Sequence, residues 1–129
     1  MIPARPKRPV FLELWRIKLP MAGFISILHR VSGVLMVLAI PVVAVQFHEA
    51  MSGPAGFAAS VAFLDQLWVK LALLVLVWGL LHHLFAGIRY LALDLGFGLD
   101  REPARQSAWV VLIAGVVATA LVLGRGGLA

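Results

Sequence analysis

The chain has 129 residues, 62% of them hydrophobic, and a mean hydropathy of +0.99; soluble domains are roughly 45–50% apolar, so a water-soluble globule is excluded. It holds no cysteine, which excludes a disulfide framework, thiolate-bound zinc and iron–sulfur ligation by this chain, and leaves any metal to histidine or carboxylate. The net charge is +5, but the basic residues sit at the ends of apolar segments, which is a membrane-topology signal and not a nucleic-acid footprint.

Residues 1–20 form a basic segment with Pro3, Pro6, Pro9 and Pro20. It lacks the short apolar core and small-residue cleavage site of a secretory signal, so it is read as a cytoplasmic segment. Val10, Leu12, Leu14, Trp15 and Ile17 are too apolar for a free tail and predict that it packs on something. A first membrane-spanning helix is predicted over about 22–47. A crossing takes roughly 20 residues, and the uncharged stretch 31–47 is slightly short, so the span must take in Ser26, His29 and Arg30 at its inner end. Pro41 predicts a kink. The connection 48–66 carries a Ser-Gly-Pro turn and no Lys or Arg, with a short interfacial helix expected over 57–63.

The second span is predicted over 67–89, with Trp68 and Lys70 as aromatic and snorkelling anchors at its outer end and Arg89 at its inner end. The third covers about 107–124 and contains Gly115 and Thr119, a small-xxx-small pair suited to close helix contact. The fold class is therefore all-α integral membrane, one domain over 1–129 with three transmembrane helices. Nine of the eleven Lys and Arg fall on one side of this arrangement and two on the other. The positive-inside rule then puts the N-terminus in the cytoplasm and the C-terminus on the outer side.

Two stretches carry chemistry. In the second span, His83 has Gly79 one turn before it and Gly87 one turn after, all on one helix face. An imidazole in an apolar span either bonds a neighbouring helix or has a function. The two glycines leave a bare strip beside His83, which suits a flat ligand such as a haem. A c-type haem needs cysteines for attachment; a b-type haem needs only an axial ligand and a pocket. His82, about 100° round the helix, is the alternative ligand and is expected to pack or hydrogen-bond. One histidine does not complete a coordination set, so the second ligand is expected from another chain.

Ser26 and Arg30 lie at i and i+4 near the inner end of the first span, with Gly33 further along. Arg30 reads either as a snorkelling boundary residue or as half of a polar notch. In the second reading its guanidinium and the Ser26 hydroxyl hydrogen-bond a quinone carbonyl and stabilise the charge of reduction. Arg30 could equally hold a haem propionate, with His29 beside it. Arg89 and Asp94 lie at the same depth on the second helix and are expected to pair with these groups.

Taken together, RPVFLELWRIKLPMAGFISILHRVSG (residues 8–33) and HLFAGIRYLALDLG (83–96) resemble the cytochrome b556 anchor family of succinate dehydrogenase, the respiratory complex II. The motifs are Ser-x-x-His-Arg-x-Ser-Gly, and His-x-x-x-Gly-x-Arg followed by Asp. The resemblance implies His83 as an axial haem b ligand, with the other axial histidine on a second hydrophobic anchor subunit. It implies Ser26 and Arg30 in a ubiquinone site shared with the iron–sulfur subunit and the other anchor, His29 and Arg30 near the haem propionates, and Asp94 near the same surface. It also implies a flavoprotein subunit and a location in the bacterial inner membrane. Where the family often has His after the motif arginine, this chain has Tyr90, which offers one hydrogen bond and no positive charge at neutral pH.

Three rival readings remain at this level. One is an anchor of a fumarate-reducing complex, and a second is a haem-free structural anchor. The third, a small channel using its buried His and Arg as a proton path, fits poorly, because the polar groups collect at one face instead of crossing the bilayer.

Overall fold

A computed structural model describes residues 18–126, which form four α-helices with no strand among them. The apolar residues in the segment before Pro20, which are expected to pack on something, lie outside the described residues apart from its last three positions. Helix α1 (Met21–Met51) starts at Pro20, whose extended backbone stops the helix from running further back. The Pro20 carbonyl accepts the Gly23 amide at 2.9 Å. The 31 residues continue through Pro41 and reach about 46 Å at 1.5 Å per residue, more than the roughly 30 Å of a bilayer's hydrocarbon core.

A tight turn follows. Gly53 adopts φ 129°, outside the range of ordinary side chains, and Pro54 opens α2 (Pro54–Leu64) in the position where its fixed φ suits a first turn. Helix α2 is longer at both ends than the 57–63 stretch expected from sequence. It folds back onto α1 so closely that a β-carbon on Gly56 would run into Ser52 Oγ and the Glu49 carbonyl.

Helix α3 (Leu67–Asp94) ends in a Schellman motif. The Gly96 amide bonds the Leu93 carbonyl and the Phe97 amide bonds the Ala92 carbonyl, both at 2.9 Å, and Gly96 takes the required left-handed conformation at φ 88°. Helix α4 (Arg101–Gly126) carries Glu102 in its first turn and Arg125 in its last, the arrangement its dipole favours. At the start of α3, Lys70 does more than snorkel: its ammonium lies 2.8 Å from Asp65.

Three helices, α1, α3 and α4, are long and apolar enough to cross a membrane. They outrun the spans predicted from hydropathy, α3 by five residues beyond 89 and α4 by starting at Arg101. Helix α3 lies between α1 and α4. Its contacts bury small and polar groups: Ser32, Gly79, His82, Ala86, Arg89, Ala108, Gly115 and Thr119. Most large aliphatics, Val37, Leu38, Leu80 and Leu91 among them, face outward, while Ile25, Val69 and Val111 are buried. This pattern suits a solvent of hydrocarbon, where apolar burial drives little and close backbone approach drives association. Thr119 satisfies itself by donating to the Gly115 carbonyl at 2.7 Å.

Candidate functional site

The face of α1 that carries His29, Ser32 and Gly33 meets the face of α3 that carries Gly79, His83 and Gly87. His83 Nδ1 lies 3.0 Å from the His29 carbonyl and 3.1 Å from Ser32 Oγ. A carbonyl oxygen can only accept, so Nδ1 must carry the proton. In the neutral ring the other nitrogen, Nε2, then carries no proton, and no hydrogen bond occupies it among the described residues. The two imidazoles also stack: the His29 and His83 ring centroids are 3.9 Å apart. Tyr90 meets the His29 ring edge-on at 5.3 Å.

The glycines act differently from the bare strip expected of them. A β-carbon on Gly79 would contact Ser32 Cβ, and one on Gly87 would contact His29 Nε2, both at 3.7 Å. The strip beside His83 is thus occupied by α1 itself. The glycine that makes room for the His83 ring is Gly33, across the helix contact, where a β-carbon would come within 3.1 Å of His83 Cε1.

His82 faces α4 instead of α1. It is fully buried against α4, with Gly115 leaving space for its Cα and Cβ and Trp78 stacked on its ring at 5.1 Å. It packs, and neither ring nitrogen has a hydrogen-bond partner among the described residues.

Ser26 and Arg30 come together as their spacing predicts. Arg30 Nη2 donates to Ser26 Oγ at 3.2 Å and its Nε to the Ser26 carbonyl at 3.3 Å, on an exposed surface. Because Ser26 Oγ accepts from Arg30, its own hydroxyl proton is free to point outward. Arg89 and Asp94 do not join this pair. Arg89 is buried and fastens α3 to α4, donating to Ser107 Oγ at 2.9 Å and to the Ala104 carbonyl at 3.0 Å. Asp94 is exposed at the end of α3.

A family model described as succinate dehydrogenase/fumarate reductase transmembrane subunit matches residues 4–122. The chain belongs to that family. The succinate dehydrogenase cytochrome b556 subunit of Coxiella burnetii is 38% identical over 120 residues, 89% of this chain and 93% of its own. That of Paracoccus denitrificans is 32% identical over 120 residues, 92% of each. The mitochondrial succinate dehydrogenase cytochrome b560 subunit of Bos taurus is 31% identical over 120 residues, 89% of this chain and 68% of its own.

Membership makes this chain a membrane anchor of a multi-subunit enzyme, and implies iron–sulfur and flavoprotein partners and a second anchor. The three apolar helices and the bacterial relatives agree with a multi-pass membrane protein. Two contacts are not named by the sequence reading, that of Ser32 with His83 and that of Arg89 with Ser107. Ser32 has a legible signal, since it stands three residues after His29 in the first motif and so shares its face. The Arg89 link to Ser107 has none, because no pattern in either segment says that they meet.

Proposed function

We propose that this chain is the cytochrome b anchor of a succinate:quinone oxidoreductase, holding haem b through His83 and forming part of the ubiquinone-reduction site with Ser26 and Arg30. The observation that carries the reading is the His83 hydrogen bond to the His29 carbonyl. A neutral ring that donates Nδ1–H to that carbonyl offers a lone pair at Nε2, the form an iron ligand requires. Such a haem supplies one-electron exchange near the quinone.

The chain's own residues then divide the work. His83 would hold the haem iron from this chain, with a further ligand coming from the second anchor. His29 and the remaining guanidinium donors of Arg30 are suited to the haem carboxylates. At the quinone, the outward hydroxyl of Ser26 and the Arg30 guanidinium would both donate to one carbonyl oxygen. Negative charge builds on that oxygen as electrons arrive, so these donors bind the reduced form more strongly than the quinone and favour reduction. Asp94 borders the same end. The basic residues gather at this end too, and by the positive-inside rule it lies in the cytoplasm. There the iron–sulfur subunit delivers electrons taken from succinate at the flavoprotein.

The test follows those electrons. In membranes carrying Arg30→Leu, succinate-driven ubiquinone reduction should fall about 100-fold, the order lost with one preorganised donor. Succinate oxidation by a soluble dye should persist. Undiminished ubiquinone reduction would remove Arg30 from the site.

A further inference from the structure

We propose that Ser32 is a positioning residue for the haem ligand: its hydroxyl relays a hydrogen bond from the His83 imidazole to the His29 carbonyl, and thereby sets how strongly that imidazole donates to iron. The inference rests on the assignment of His83 as ligand and adds a residue that acts through it.

Ser32 is buried, 1% exposed, at the contact of α1 with α3. Its Oγ donates to the His29 carbonyl at 2.8 Å and lies 3.1 Å from His83 Nδ1. The direction of each bond follows from valence. The His29 carbonyl can only accept, and two groups reach it: the Ser32 hydroxyl and the Nδ1 proton. With its proton committed to the carbonyl, Ser32 Oγ presents lone pairs to Nδ1. If the hydroxyl turned to donate to Nδ1 instead, the ring would have to give up that proton. The carbonyl would then face a ring lone pair at 3.0 Å. The stable arrangement is a chain, Nδ1–H to Oγ–H to carbonyl, alongside the direct bond. Bonds in such a chain polarise one another, so the serine is a better acceptor than an isolated hydroxyl.

Two packing features hold this geometry. Gly33 leaves room for the His83 ring, where a β-carbon would stand 3.1 Å from Cε1. The stacked His29 ring limits rotation of His83 about its plane. An acceptor at the far nitrogen of a metal-bound imidazole raises the basicity of the ligating one. A more basic ligand favours ferric over ferrous iron, so the serine lowers the haem midpoint potential.

The experiment is a potentiometric titration of the purified four-subunit complex, followed through the haem absorption band, for the wild type, Ser32→Ala, Ser32→Thr and Gly79→Ala. Ser32→Ala should keep its haem and titrate at a higher potential. The expected size is a roughly threefold shift of the ferric-to-ferrous ratio at fixed ambient potential, about 28 mV at 59 mV per tenfold. Ser32→Thr keeps the hydroxyl and should restore the wild-type value. Gly79→Ala places a methyl in ordinary contact with Ser32 Cβ, at 3.7 Å, without displacing the hydroxyl, and should leave the potential in place. Should Ser32→Ala not assemble, Ser32→Cys replaces it, a similar volume with a weak acceptor, and the same upward shift is expected. A haem band with an unmoved potential in the Ala or Cys variant overturns the inference alone. So does a Thr variant that shifts as far as Ala, because packing would then be the cause. A wild-type complex without a b-type band, or one whose band survives His83→Ala, overturns the ligand assignment and this inference with it.

Discussion

His83 and His29 lie face to face across the contact of α1 with α3, their ring centroids 3.9 Å apart and their planes 17° from parallel. One residue thus contributes twice to the other's setting, through its ring and through its carbonyl at 3.0 Å. The second contribution belongs to the backbone. A His29 substitution therefore removes the stacking and any carboxylate contact but keeps the bond that fixes the His83 tautomer. For His29→Leu we predict a haem that is retained but more easily lost on detergent dilution, read as the haem-to-protein ratio. Complete loss of haem, with the complex assembled, would mean that the ring and not the carbonyl holds His83.

Gly33 is the tightest point around the ligand. A β-carbon there would stand 3.1 Å from His83 Cε1, so the ring or the helix must yield by a few tenths of an ångström. Overpacking of this kind typically costs about 1–3 kcal/mol. Gly33→Ala should weaken haem retention about tenfold, while succinate oxidation by a soluble dye is unchanged. Normal haem content on prolonged dilution would contradict this.

At the other end of the molecule, Gly56 faces Ser52 Oγ and the Glu49 carbonyl. A backbone carbonyl cannot rotate away as a side chain does. Gly56→Ala should force α2 off the end of α1 at a cost of about 1–3 kcal/mol. The complex should melt a few degrees lower with its haem spectrum intact. An unchanged melting temperature would show that α2 accommodates the methyl.

The Lys70 hydrogen bond and charge hold the Asp65 carboxyl below the usual carboxylate range. Its pKa is lowered on folding, so the pair's contribution is present above the unfolded-state pKa and is lost as pH falls through the folded one. The pair is exposed on the Asp65 side, so the effect is small and screened by salt. Asp65→Asn should lower stability slightly at neutral pH and low salt, with the difference from wild type shrinking as pH falls through the carboxyl's folded pKa. A loss as large at acid pH as at pH 7 would contradict that assignment.

Much of this architecture was legible because a bilayer imposes lengths and charge boundaries that hydropathy registers. The two motifs also placed His83 and the Ser26–Arg30 pair on definite faces. Hydropathy misses helix ends, however. It marks where apolar residues stop, whereas α3 continues to Asp94 until Gly96 turns the chain, and α4 begins six residues before its first predicted position. A helical wheel names a face but not the helix that meets it. Gly79 and Gly87 therefore read as an open strip, although α1 fills it. For the same reason Arg89 read as a neighbour of Arg30, although it reaches across to Ser107. Ser32 carried a motif position without a role until its 3.1 Å approach to His83 supplied one.

The most direct measurement is a dithionite-reduced-minus-oxidised optical spectrum of the purified complex, wild type against His83→Ala. A b-type band in the wild type that is lost or shifted in the variant is the predicted result. A band unchanged by the substitution, or none in the wild type, would contradict the assignment of His83 as the iron ligand.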